Sequence, residues 1–172
     1  MPLLPIAILL IGAITPFTSG TTISLQINPP ETAVPVASDL VSFSIEQDRW
    51  TDWAGLDSRN EFFFNTLDNI AQIAGKPPQI RIGADSADKT NFDPEVTVPQ
   101  VAFPEPDALT PYPEAESVVV GDAYYQAARF LPPDTQVTWT VNLGQQNLTA
   151  AFLEAQAIAN AFALPEIKDA GI

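Results

Sequence analysis

Polar and apolar positions alternate first over Thr22 to Ile27, with Ile23, Leu25 and Ile27 on one face and Thr22, Ser24 and Gln26 on the other. This is the period of a half-buried strand, and Pro29-Pro30 ends it. Alternation returns over Leu40 to Glu46, where Val41, Phe43 and Ile45 share the face expected to be buried and Glu46 stands at the exit. From Asn60 or Glu61 the period lengthens to that of a helix: Phe63, Leu67, Ile70 and Ala74 form a stripe that Phe64 and Ala71 widen, and Gly75 and Pro77 stop it. A short β-branched strand, Gln79 to Gly83, follows. Asp122 is placed as the N-cap of a helix running to about Phe130, closed by Pro132-Pro133. Gln136 to Gly144 alternates again, with Val137, Trp139, Val141 and Leu143 opposite Thr138, Thr140 and Asn142. A final helix is expected from Asn147 to about Ala163, with Leu148, Phe152, Ala155, Ala159 and Phe162 as its buried stripe.

Strand and helix thus alternate three times from residue 40 onward. That order calls for an α/β fold with parallel strands joined by right-handed crossovers. Two closures satisfy it, a small doubly wound sheet or the first three βα units of an eightfold barrel, and periodicity does not choose between them. Between Asp93 and Ser117 lie six prolines, six acids and no Lys or Arg. Val96, Val98, Val101, Phe103, Leu109 and Tyr112 are interspersed there, so a Pro-stiffened loop lying over the domain is expected, placed to roof a cleft.

Composition narrows the chemistry. The chain has 172 residues, 46% of them hydrophobic, with three Trp and ten Phe, which suits one globular domain with a real core. It has no His and no Cys, which excludes within these residues Ser-His-Asp and Cys-His nucleophiles, His-ligated zinc and disulfides. A net charge of -14 repels nucleic acid and anionic lipid. No cofactor is expected. Residues 1–20 carry an apolar run from Leu3 to Ile14, then Pro16 and the small residues Thr18, Ser19 and Gly20; this reads as a signal peptide, although its leading end has no Lys or Arg. A secreted, extracellular protein without a membrane anchor after cleavage is the expectation. Asn147-Leu148-Thr149 is a glycosylation sequon, which agrees with export.

The candidate chemistry gathers where strands end. Gln79 to Phe92, QIRIGADSADKTNF, empties a strand into Asp85, Ser86, Asp88, Lys89, Thr90 and Asn91. In α/β folds ligands bind at such C-terminal strand ends. Glu46 and Asn142 hold equivalent positions on the other two strands. Each has a plainer reading: Glu46 paired with Arg81, Asp85 and Asp88 as Asx-turn formers, Trp50 and Trp53 as core or loop anchors rather than sugar-stacking faces. Calcium on Asp85, Asp88 and Asn91 is disfavoured, because the spacing misses the usual loop pattern.

Three blocks carry a resemblance: SFSIEQDRWTDWAG from Ser42, QIRIGADSADKTNFDP from Gln79 and FLPPDTQVTWTVNLGQQN from Phe130. From about Leu40 onward the chain resembles the N-terminal third of the fungal, β-glucuronidase-like branch of glycoside hydrolase family 79. The resemblance implies a (β/α)8 barrel that hydrolyses β-glucuronides with retention, and a β-sandwich that Thr22 to Ile27 joins as one strand. With the signal peptide read at 1–20, the domains expected are 21–36 (strand and linker) and 37–172 (first three βα units). The family's acid/base follows an Asn at the end of barrel strand 4 and its nucleophile lies late in the barrel, so both catalytic Glu residues are expected beyond Ile172. Asn60-Glu61 opens a helix and is not that motif. The resemblance carries Glu46, Asp85, Ser86 and Asn142 over as substrate-binding residues, and places Gly83-Ala84 where relatives often have Gly-Gly.

Two functional readings follow, an inactive N-terminal portion of a secreted glycosidase or a non-catalytic secreted carbohydrate-binding or interaction protein. Three unclosed strands leave two parallel edges bare, so self-association through them is expected, and an isolated piece of this kind is at risk of not folding stably.

Overall fold

The computed structural model describes residues 40–167, together with residues 24, 28, 30–34 and 36–38. The expected signal peptide lies outside the described residues, as do the last five positions and nearly all of the strand expected over Thr22 to Ile27. Residues 1–35 and 36–172 form separate compact units. In the first, the described residues make a turn closed by the Ala33 N–H on the Pro30 carbonyl at 2.8 Å.

The second unit is a mixed α/β structure. Its first sheet is parallel, in the order β1 (Ser42–Glu46), β2 (Gln79–Gly83), β6 (Val137–Trp139). Between β1 and β2 lie α1 (Trp50–Ala54) and α2 (Glu61–Ala74), and α4 (Leu148–Phe162) follows β6. Asn60 caps α2 by accepting the N–H groups of Phe62 and Phe63, and Gly75 ends it in the left-handed conformation that glycine adopts at least cost. The elements expected over 61–74 and 79–83 are therefore present as read.

Other expectations are corrected. Residues 93–117, read as one long loop, contribute β4 (Gln100–Ala102) and the first residue of β5 (Ser117–Val120) to a second sheet, in which β5 pairs in parallel with β3 (Thr90–Phe92) and antiparallel with β4. The helix expected to start with Asp122 as cap has Gly121 in that position; α3 (Asp122–Gln126) continues as a 3-10 turn to Phe130. The strand expected over Gln136 to Gly144 ends its ladder at Trp139, and its alternation then breaks: Asn142 turns inside and Leu143 outside.

α4 is also rotated from its expected face. Ala150, Ala151, Glu154, Ala157, Ile158, Ala161 and Phe162 are buried, while Leu148 and Phe152 are exposed. Small alanines let the helix approach its neighbours closely, so the alanine face packs and the bulkier apolar face is left outside. On β1, Ile45 is buried but Phe43, like Val41 just before the strand, is largely open, because α2 covers only the end of this edge strand with Phe63 and Leu67. The core joins Ile45, Ile80, Ile82 and Val137 of the first sheet to Val118 and Val120 of the second. Trp139 lies among Trp50, Tyr124, Tyr125 and Phe162, with ring centroids 5.2 to 6.4 Å apart.

Candidate functional site

Parallel register aligns the strand exits. Glu46 lies opposite Gly83, and the Thr140 N–H reaches the Ile82 carbonyl at 2.9 Å just past β6. A side chain at Gly83 would collide with Thr140, since an added Cβ would lie 2.3 Å from Oγ1. At Ala84 the backbone turns with φ +68° and ψ -151°, a region that belongs to glycine. That turn begins a 3-10 segment, Asp85 to Lys89, and drives Ser86 completely inside.

Ser86 meets Glu46 there. Its N–H donates to Glu46 Oε2 at 3.0 Å, and its hydroxyl donates to the same oxygen in a very short contact. The hydroxyl oxygen accepts from the N–H of Gln47 at 2.8 Å and of Asp48 at 3.4 Å. Two sequence-predicted residues are thus locked together, and Glu46 Oε1 carries no hydrogen bond among the described residues. Arg81 does not pair with Glu46; its guanidinium donates to Ser44 Oγ at 3.3 Å. Asp85 is exposed and its carboxylate has no hydrogen bond among the described residues, whereas Asp88 accepts the Gly144 N–H at 2.9 Å and fastens the loop before α4.

Two residues of the polar and aromatic loop after Glu46, to which sequence reading assigns no individual role, complete the surroundings. Asp48 is nearly buried, and its Oδ2 accepts the Ala115 N–H at 2.9 Å; loss of solvent raises its pKa against the effects of that bond and of Arg49. This fastens the end of the proline-rich segment beside the strand exits. It places Glu114 where partial desolvation, then the charges of Asp85, Glu46 and Asp48, hold its carboxyl above the usual range. Gln47 is buried, donating to the Thr140 carbonyl and receiving the Tyr124 hydroxyl on its own carbonyl. Only their placement immediately after a strand-end carboxylate signals these residues in the sequence.

Asn142 lies deeper than its position at a strand end implied. It is fully buried, donates Nδ2 to the Thr90 carbonyl at 2.8 Å and accepts the Gln145 N–H at 3.4 Å. Its own N–H donates to Oε2 of Glu154 at 3.3 Å. Burial pushes the pKa of Glu154 up to about 8 against that one hydrogen bond, and its Oε1 has no partner. Asn147 is exposed and caps α4, accepting the Ala150 N–H at 3.2 Å. Trp50 is a core residue donating to the Tyr124 carbonyl, while Trp53 is half open against Phe63. No three acidic residues among those described are arranged to hold a metal ion.

What the site offers chemically is a set of hydrogen-bond acceptors in a negative field, suited to hydroxyl donors. Two curated relatives have this part of the chain. The β-glucuronidase of Aspergillus niger is 34% identical over 120 residues, covering 69% of this chain and 22% of the relative. The β-glucuronidase of Neurospora crassa is 32% identical over 107 residues, covering 60% and 19%. Over part of its length the chain is homologous to β-glucuronidases. It spans only about a fifth of the length of these relatives. A crystal structure of a 4-O-α-L-rhamnosyl-β-D-glucuronidase from Fusarium oxysporum 12S, in complex with Rha-GlcA, is similar in fold with a TM-score of 0.58. The likeness has 21% identity and covers 78% of this chain and 27% of that one. No protein-family model matches the chain.

Proposed function

We propose that this chain is the N-terminal portion of a secreted, retaining glycoside hydrolase of family 79, acting on β-glucuronides. In this reading β1, β2 and β6 are the first three strands of a (β/α)8 barrel, and their exits form one side of the sugar cleft. The observation that carries it is the lock between Ser86 and Glu46, which fixes one carboxylate oxygen and leaves the other able to accept a sugar hydroxyl. Asp85 adds an exposed acceptor, and Asn142 acts from beneath by holding the β6 exit to Thr90. Glycosylation at Asn147 is compatible with its cap, since a sugar on Nδ2 leaves Oδ1 free to accept the Ala150 N–H.

Retaining hydrolysis needs two carboxylates about 5 Å apart, one ionised as nucleophile and one protonated as acid. In this reading Glu46 binds the sugar and the catalytic pair lies in other parts of the enzyme, so this chain alone is inactive. Incubation of the purified chain with an aryl β-D-glucuronide should release no aglycone above the buffer rate. Turnover abolished by Glu46→Gln would overturn this division of labour.

A further inference from the structure

Arg49 stands apart from the other arginines among the described residues. Arg59 makes two hydrogen bonds to the Glu61 carboxylate, Arg81 donates to Ser44, and Arg129 donates to the carbonyls of Gln126 and Leu56. The guanidinium of Arg49 makes no hydrogen bond among the described residues. Asp52 Oδ2 approaches it only to 3.8 Å, with both side chains open to water, so this pair holds it weakly. Stacking holds it better: Cζ lies 4.1 Å from the centroid of the Phe103 ring. A rigid fork of N–H donors, the geometry that matches a carboxylate, is therefore positioned by its face, with its edge engaged only by the loose approach of Asp52.

Beside it runs a groove of about 500 Å³ lined by Trp53, Phe62 and Tyr112 together with Asp52 and Asn60. The three aromatic side chains are 45%, 75% and 88% exposed, respectively. A hollow of about 380 Å³ on the other side shares Arg49 and Tyr112 and is walled by Phe103 and prolines. The groove shares Arg49, Trp53 and Phe62 with the hollow between β1 and α2, where Phe43, Ile45, Phe63 and Leu67 present an apolar face of the kind that packs against further protein. Open aromatic faces next to a loosely engaged guanidinium suit a pyranose that bears a carboxylate: the ring's C–H face lies on the aromatics and the carboxylate pairs with the fork. The charge pattern selects the same ligand. Toward the strand exits lie Glu46, Asp48, Asp85 and Glu114, so the carboxylate of a bound sugar is favoured on Arg49 and its hydroxyls toward the exits.

We propose that Arg49, Trp53 and Tyr112 form a second glycan subsite, which takes a uronic acid residue with its carboxylate on Arg49. The groove begins one 3-10 turn after Glu46 and so continues the cleft; this continuity rests on the functional reading above, whereas the ligand class rests on the groove's own residues. Trp53 supplies the signal, because Trp50 is fully buried and Trp139 partly so. Titration of the chain with D-glucuronic acid should change its tryptophan fluorescence saturably. Affinity should fall at least about tenfold in Arg49→Met and in Tyr112→Ala, and by the same margin when D-glucose replaces the acid. Arg49→Lys, which keeps the charge but not the fork, should lie between and guards against a folding defect in Arg49→Met. Asp68→Asn, on the exposed face of α2, should leave this signal unchanged. Equal binding of glucose, undiminished binding by Arg49→Met, or no saturable response in the wild type overturns the subsite. Loss of binding in Glu46→Gln with binding retained in Arg49→Met would assign the signal to the strand exits, overturning the subsite while leaving the cleft reading in place.

Discussion

The Ser86 hydroxyl is the most consequential single group at the strand exits, since it donates to Glu46 and accepts from two backbone N–H groups without contact with water. Ser86→Ala leaves those groups unsatisfied and should cost about 2–3 kcal/mol, read from chemical denaturation. Ala84 acts in the opposite sense. Its backbone conformation is one that glycine adopts freely, so Ala84→Gly should stabilise the protein by about 1 kcal/mol after glycine's extra unfolded-state entropy is counted. Glu154 sets a pH dependence. Its folded pKa of about 8 lies above the ordinary carboxyl value of 4.5, so the folded state holds the proton more tightly than the unfolded chain. The contribution to stability is full below about pH 4.5 and is lost as pH rises through 8. Melting curves should show Glu154→Gln gaining several degrees over the wild type at pH 8 and little or nothing at pH 4.5.

At the scale of elements, α4 divides into a close-packed alanine face and an exposed face bearing Leu148, Phe152 and Leu153. Ala161→Leu should overpack the first and cost about 1–3 kcal/mol, whereas Phe152→Ser should change stability by less than about 0.5 kcal/mol, both measured by denaturation. This helix also marks where sequence reading stops. Its span and its Asn147 cap follow from period and composition, but its orientation depends on how close the neighbouring elements come, which hydrophobicity does not encode. β1, β2 and α2 were legible because each carries several turns or alternations of one period. β3 and β4 were not, having three residues each among prolines and acids, and they exist only because β5 supplies their hydrogen bonds. At the site, Glu46 and Ser86 could be anticipated from their places at strand exits. Asp48 and Glu114 could not, because the contact that brings them in is a backbone N–H of Ala115, 67 positions away along the chain.

For the whole molecule, the first sheet leaves one edge of β1 and one of β6 without a strand neighbour among the described residues. Apolar side chains at Phe43, Phe62 and Phe152 are open as well. The purified chain is expected to associate with itself, and sedimentation velocity should show a mean mass that rises with protein concentration. Association should weaken when Phe43→Lys places a charge on the β1 edge. The central claim, that the exits of β1 and β2 form part of a glucuronide cleft, is tested most directly by following the backbone amides in ¹H–¹⁵N spectra during titration with methyl β-D-glucuronide. Saturable shifts centred on Glu46 and Ser86, abolished by Glu46→Gln, are the predicted result; shifts that leave those two amides unmoved would contradict it.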